Sequence, residues 1–118
     1  MPVRSLSSAV LKWPDREQVL AAARRWAVAL RASDESVEQV ACVGSYARGD
    51  WGVGSDADIV VIVADSTLSP VERSRRYYPD ELPVAVDLWV YTRSEWDDLS
   101  KRSPLLRARL EQEWVALT

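Results

Sequence analysis

The chain has 118 residues, of which 47% are hydrophobic and 28% charged, as expected for a globular protein with room for one hydrophobic core. Its formal net charge of −3 argues against nonspecific nucleic-acid binding, because proteins that neutralise many phosphates carry an excess of Lys and Arg. Histidine is absent and cysteine occurs once, so carboxylates, hydroxyls, Lys, Arg or a hard cation must supply any chemistry.

A first helix is predicted over about residues 14–32. Pro14 suits the first helical position, and apolar residues then recur at helical spacing. These are Val19, Leu20, Ala23, Trp26, Ala27 and Leu30. After a polar segment, residues 37–43 predict a short buried strand.

All four glycines of the chain lie between residues 44 and 54, directly after this strand. Glycines predict sharp turns or close approach of the backbone to another group. Gly44 and Ser45 are expected to enter a turn or short helix, where backbone N–H groups and the Ser45 hydroxyl can hold a phosphate. Residues 56–64 then predict a second strand that is apolar on both faces and therefore central in its sheet.

Residues 65–83 are polar and contain several prolines, which predicts a loop with one helical turn. The basic and aromatic residues from Arg73 to Tyr78 either contact a nucleotide or a partner, or form a solvated surface. Residues 84–91 predict a third strand.

Two helices are predicted after the third strand. Ser94 can cap the first, with Asp97 in the capping-box position, and Ser103 and Pro104 can start the second. Three apolar residues fall on one side of this last helix, Leu106, Leu110 and Trp114.

The element order predicts an α/β (α+β) protein with a small mixed sheet flanked by helices, forming one domain over residues 1–118. No stretch approaches the roughly 18 apolar residues of a membrane span, and residues 1–10 lack the apolar core of a signal peptide. The single Cys42 lies in a strand-like run, which favours a core position and a reducing compartment. We therefore expect a cytoplasmic protein without membrane contact.

Asp56 and Asp58 lie at the start of the second predicted strand. Alternation along a strand places their side chains on one face, roughly 7 Å apart, a spacing suited to shared cations. Two such charges repel and raise each other's pKa unless a divalent cation neutralises them. The alternative is that they only cap an element after the glycine-rich turn.

Asp87 interrupts the otherwise apolar third strand. A buried carboxylate without a partner is costly, so Asp87 is expected to be paired, and adjacent strands can bring it beside Asp56 and Asp58. Three carboxylates without His or Cys favour Mg²⁺ or Mn²⁺, which prefer oxygen ligands and keep positions open for phosphate. The alternative is an exposed residue at a solvent edge.

Together these residues resemble the signature of the DNA polymerase β-type nucleotidyltransferase superfamily. Gly-Ser at 44–45 is followed after ten residues by Asp-Ala-Asp at 56–58, and Asp87 lies in a later apolar strand. GSYARGD followed by SDADIVV resembles more closely the minimal nucleotidyltransferases, small proteins often encoded beside a HEPN partner as toxin–antitoxin pairs. The resemblance covers about residues 37–91, and PLLRARLEQEWVAL looks like the family's closing helix.

The resemblance implies a polymerase β-like nucleotidyltransferase fold and transfer of a nucleoside monophosphate, AMP from ATP, to a hydroxyl group. Asp56 and Asp58 would hold two Mg²⁺ ions, and Asp87 would bind the ion that activates the attacking hydroxyl. The hydroxyl would attack the α-phosphate in line and expel pyrophosphate.

The same resemblance implies that Gly44 and Ser45 hold the β- and γ-phosphates. Arg48 would neutralise phosphate charge, although an ordinary helix-surface arginine is the alternative. Trp51 lies within the motif, and either packs in the core or faces a base or a partner.

The acceptor implied by the resemblance is a tyrosine of a cognate HEPN toxin, which the chain would silence as an antitoxin by AMPylation. The chain is not itself the HEPN ribonuclease, whose motif needs a histidine. Two alternatives stay open: a binding module that neutralises its partner by occlusion, and a nucleotidyltransferase acting on a small molecule such as an antibiotic. The short chain argues against the last of these.

Overall fold

The structure is a computed structural model that describes residues 13–118. The helices are α1 (Arg16–Ser33), α2 (Gly44–Arg48), α3 (Pro70–Tyr77), α4 (Arg93–Arg102) and α5 (Pro104–Glu113), and the strands are β1 (Val37–Val43), β2 (Ala57–Val63), β3 (Val86–Thr92) and β4 (Val115–Ala116). The three strands predicted from sequence are all present, with bounds that differ from the prediction by at most two residues.

The four strands form one mixed sheet in the order β3-β2-β1-β4. β1 runs antiparallel to β2 and β4, whereas β2 and β3 run parallel and are joined by a crossover that contains α3. β2 therefore has neighbours on both sides, which confirms the central position predicted from its two apolar faces. Every residue from Ile59 to Val63 is at most 2% exposed.

Helices cover both faces of the sheet. On one face α1 packs against the strands, through a cluster that includes Val19, Leu20, Ala23, Ala27, Val40, Cys42, Ile59, Val61 and Val63. On the other face α4 and α5 pack through a smaller cluster, formed by Val43, Val60, Ile62, Trp96 and Leu110. The predicted apolar stripe of α1 and the core position of Cys42 are thus confirmed.

The first residues of two helices differ from the prediction. Asp15 caps α1, so Pro14 lies before the cap rather than at the first helical position. Thr92 caps α4 in a capping box with Glu95, so Ser94 lies inside that helix. Thr92 is also the last residue of β3, so the cap is set by where the strand ends.

Residues 70–77 form two turns of helix, so the prediction of a loop with one turn is wrong. Ser69 caps α3 in a capping box with Glu72, and Pro70 occupies the first helical position, where its missing N–H costs nothing. This start signal is readable in the sequence, but Pro79 and Pro83, which follow the helix, favour interpreting the whole segment as a loop.

α3 lies along the edge of β3 with which no other strand of residues 13–118 pairs, and its side chains donate hydrogen bonds to two backbone carbonyls of β3. The Ser74 hydroxyl donates to the Leu88 carbonyl at 3.2 Å, and Arg73 donates to the Val90 carbonyl at 3.0 Å. Arg73 is 5% exposed, and its guanidinium makes two hydrogen bonds with the Glu95 carboxylate. These contacts occupy two of the backbone carbonyls to which a further strand would have to pair.

The chain returns to the sheet after α5. The helix ends at Glu113, so Trp114 lies beyond it and the expected closing helix covers only residues 104–113. β4 then pairs with β1, and buried Leu117 donates its N–H to the Val40 carbonyl at 2.8 Å. Within residues 13–118, no helix is long and apolar enough to cross a membrane.

Candidate active site

The pairing of β2 with β3 places Asp58 directly opposite Asp87. Neighbouring strands lie about 4.8 Å apart, so two carboxylates on the same face of the sheet are close. Asp56 lies just before β2, two residues from Asp58. The structure therefore brings the three predicted carboxylates to one end of the parallel strand pair.

The three carboxylates differ in exposure. Asp58 is partly buried, whereas Asp56 and Asp87 are exposed. The expectation that Asp87 is buried is wrong, because β3 is an edge strand whose face at this position is open. An exposed Asp87 needs no protein partner and is accessible to a ligand.

Asp58 carries an unneutralised charge. Burial, followed by the negative charges of Asp87 and Asp56, raises the pKa of Asp58 from 3.8 to about 6. Arg48 acts in the opposite direction but does not cancel these effects. Among the described residues no group donates a hydrogen bond to the Asp58 carboxylate. The site thus holds an anionic centre that a cation would stabilise.

The donor chemistry of these residues fits a divalent cation. All three side chains offer oxygen ligands, the type that Mg²⁺ and Mn²⁺ prefer. As placed in residues 13–118, no three His, Cys, Asp or Glu side chains converge closely enough to hold a metal ion. A cation shared by Asp56, Asp58 and Asp87 would therefore require these side chains to turn toward one another.

Gly44 is packed directly against Asp58. Its φ of +75° lies in the left-handed region, and a Cβ atom built there would come 2.0 Å from Oδ2 of Asp58. Only glycine combines this backbone conformation with so close an approach. The sequence predicted a close approach at this glycine, and the structure shows that the approaching group is one of the acidic residues.

The short helix α2 is held by a buried aromatic residue. Tyr46 is fully buried, and its hydroxyl accepts a hydrogen bond from the indole of Trp13 at 2.9 Å. Arg16 donates to the carbonyls of Tyr46 and Ala47 at 2.7 and 3.2 Å.

Trp51 stacks on Tyr46 with the ring centroids 5.5 Å apart. Trp51 therefore packs in the protein, and of its two predicted alternatives the core position is the observed one.

Glu113 of α5 contacts the groups that sequence analysis assigned to phosphate. Its Oε1 accepts a hydrogen bond from the Gly44 backbone N–H at 3.0 Å, and its Oε2 accepts one from Arg48 at 2.8 Å. Arg48 also donates to Asp50 at 3.0 Å. The backbone N–H of Gly44, expected to be free, is thus occupied by a carboxylate of the same chain.

These groups share one cavity of about 280 Å³, near the lower end of the range for small-molecule sites, about 300–1,000 Å³. The cavity is lined by Val43, Gly44, Ser45, Arg48, Asp58, Val60, Trp89, Tyr91, Leu106, Arg109, Leu110 and Glu113. Sequence reasoning missed the contributions of Arg109 and Glu113. Their spacing of four residues on a helix was a readable sign that they share one helix face.

The basic and aromatic segment from Arg73 to Tyr78 has a structural role in part. Arg73 is buried in its ion pair with Glu95, and the Tyr77 hydroxyl donates to Asp34 at 2.7 Å. Arg75 and Arg76 remain exposed. Neither alternative predicted for this segment describes Arg73 and Tyr77, which hold α3 in place.

Comparison with known proteins gives one family and two instructive structures. A model of the nucleotidyltransferase domain matches residues 25–113. A solved structure of a candidate nucleotidyltransferase from Sulfolobus solfataricus is 26% identical, with a TM-score of 0.56, and the alignment covers 70% of this chain and 74% of that chain. A toxin–antitoxin structure with AMP-PNP is 20% identical, with a TM-score of 0.52, and the alignment covers 89% of this chain and 73% of that chain. At this identity the similarity concerns the fold alone. No curated protein gives a significant match.

Proposed function

Because the chain belongs to the nucleotidyltransferase domain family, we propose that it transfers AMP from ATP to a hydroxyl group of another molecule. The mixed α/β fold shared with a candidate nucleotidyltransferase agrees with the fold expected from sequence. The observation that carries the proposal is the register that sets Asp58 opposite Asp87, in a site that Gly44 approaches closely.

In this reaction the acceptor hydroxyl oxygen forms a bond to the α-phosphorus of ATP. The bond between that phosphorus and the oxygen bridging to the β-phosphate breaks, pyrophosphate leaves, and the hydroxyl proton passes to solvent. Asp56, Asp58 and Asp87 are the residues that would hold Mg²⁺ or Mn²⁺, which lowers the pKa of the hydroxyl and stabilises the leaving charge. Gly44, Ser45 and Arg48 are assigned to the β- and γ-phosphates.

We propose a tyrosine of a HEPN-type toxin as the acceptor, with the chain acting as the antitoxin. This assignment is supported by the sequence resemblance and by the similar fold of a toxin–antitoxin structure with AMP-PNP. The exposed position of Asp87 is compatible with an acceptor as large as a protein.

One observation favours a second candidate, in which the chain neutralises its partner by binding alone. Glu113 already occupies the backbone N–H of Gly44 and pairs with Arg48. A nucleotide would have to displace the Glu113 carboxylate from these two groups. If the protein does not bind nucleotide, the carboxylate can stay bound to them.

Label transfer distinguishes the two candidates. The protein is incubated with Mg²⁺, the product of a neighbouring gene, and ATP labelled at either the α- or the γ-phosphate. We expect the α-label alone to appear on the partner. The Asp56→Ala plus Asp58→Ala variant should abolish the transfer.

A matched control is the Asp65→Ala plus Asp80→Ala variant, which removes two exposed carboxylates outside the cavity. It should transfer label like the unmodified protein. Tight binding of the partner without transfer of either label would instead support neutralisation by binding alone.

A further inference from the structure

Arg109 lies in the cavity without an internal partner. It projects from α5, lines the same cavity as Ser45 and Asp58, and is exposed. Within residues 13–118 its guanidinium makes no hydrogen bond and no ion pair. An arginine of this kind keeps its full capacity to donate to a bound anion.

The other cation of the cavity is already neutralised. Arg48 pairs with Asp50 at 3.0 Å and with Glu113 at 2.8 Å, so two carboxylates balance its single charge. The remaining charged groups that line or adjoin the cavity, Asp58 and Asp87, are acidic. Arg109 is therefore the one cavity cation among the described residues that can offset further negative charge.

The position of Arg109 on α5 explains why its side chain lies on the cavity side of this helix. Residues four apart share one face of a helix, so Arg109 lies on the same face as Glu113, whose Oε1 is 3.0 Å from the Gly44 nitrogen. Arg107 and Glu111 have the same spacing and pair at 3.0 Å. Arg109 does not form the equivalent pair, because the Glu113 carboxylate is bound to α2.

We propose that Arg109 is a substrate-binding residue that holds the terminal phosphates of the nucleoside triphosphate. This inference rests on the proposed function and adds a phosphate contact from α5 to those assigned to α2. A guanidinium binds phosphate oxygens through two parallel hydrogen bonds, which suits it to a polyphosphate close to several carboxylates.

Isothermal titration calorimetry with two nucleotides tests the proposal. The ligands are α,β-methylene-ATP and AMP, each with Mg²⁺, and the variants are Arg109→Gln and Arg109→Lys. We expect Arg109→Gln to weaken binding of α,β-methylene-ATP about tenfold or more, since a charge-assisted contact is lost. AMP, which has no terminal phosphates, should bind both forms within about twofold. Arg109→Lys should restore part of the affinity.

Arg31→Gln is the matched control, because it removes an exposed arginine in the last turn of α1, outside the cavity. It should leave both affinities unchanged. The proposal fails if Arg109→Gln binds α,β-methylene-ATP as tightly as the unmodified protein does. It also fails if AMP is weakened as much as the triphosphate, which would indicate a structural role. If the unmodified protein binds neither nucleotide, the proposed function itself fails.

Discussion

Gly44 is the residue at which the backbone and the candidate metal site meet. Its left-handed φ and its contact with Asp58 are both required for the carboxylate to sit where it does. The sequence pointed to an unusual backbone at this position, because glycines cluster there. It did not reveal that the side chain of Asp58, fourteen residues further along the chain, would lie where a Cβ atom at Gly44 would be.

The glycine cluster provides a graded series of substitutions. Gly44→Ala should destabilise the fold by about 2–4 kcal/mol, because it adds a clash with Asp58 to the cost of a left-handed alanine. Gly54→Ala, with φ of +88° and no neighbour within 4 Å, should cost only about 1–2 kcal/mol. Gly52→Ala, which has neither feature, should change stability by less than about 0.5 kcal/mol.

Urea unfolding of the three variants measures this ranking, and label transfer measures whether the displaced carboxylate matters for activity. Equal destabilisation by Gly44→Ala and Gly54→Ala would contradict the contact with Asp58.

At the scale of elements, the first residue of α4 shows that local sequence signals do not by themselves determine where a helix begins. Two capping boxes compete at the start of α4, Thr92 with Glu95 and Ser94 with Asp97, and sequence reasoning chose the second. Thr92 is the observed N-cap, because β3 ends at this residue and because Glu95 also pairs with buried Arg73. Local chemistry permits either start, and packing of α3 and α4 selects one.

Thr92→Ala and Ser94→Ala test this choice directly. Thr92→Ala should destabilise the protein by about 1–2 kcal/mol, because the Glu95 N–H loses its acceptor. Ser94 is exposed inside the helix, so Ser94→Ala should change stability by less than about 0.5 kcal/mol. Thermal unfolding of both variants gives the comparison, and a larger loss for Ser94→Ala would reverse the assignment of the cap.

At the scale of the whole molecule, the ionised Asp58 carboxylate lowers the free energy of unfolding. An unfolded chain releases the Asp58 proton near pH 3.8, whereas the folded protein retains it up to about pH 6. The stability that Asp58 contributes is therefore complete below pH 3.8 and is lost as the pH rises through about 6. At neutral pH without a cation, the ionised carboxylate is a cost to folding.

Asp58→Asn should consequently stabilise the protein at pH 7 in the presence of a chelator. We expect a gain of about 1–2 kcal/mol, less than the full value of a two-unit shift because the side chain is partly exposed to water. Excess Mg²⁺ should stabilise the unmodified protein but not the variant. The measurement is urea unfolding with chelator and with Mg²⁺.

Asp65→Asn is the control, since Asp65 is exposed and lies outside the cavity. It should have the stability of the unmodified protein in chelator, and Mg²⁺ should stabilise it to the same extent as the unmodified protein, because Asp56, Asp58 and Asp87 are intact. A variant Asp58→Asn that is less stable than the unmodified protein in chelator would show that the carboxylate is not a cost to the fold.

The sequence by itself determined the kind of chemistry available and most of the elements. Without histidine and with one cysteine, carboxylates, hydroxyls, Lys, Arg or a hard cation remained to supply any chemistry, and the apolar runs located β1, β2 and β3. These properties follow from composition and from repeats of two or about four residues, which depend on near neighbours along the chain.

Only the tertiary structure decided which distant residues meet. Asp58 faces Asp87 because β2 and β3 pair in one particular register. Glu113 reaches Gly44, and Arg109 enters the cavity, because α5 packs on the sheet beside α2. These contacts join segments separated by about thirty to seventy residues, and their formation depends on the packing of the whole core rather than on any local pattern.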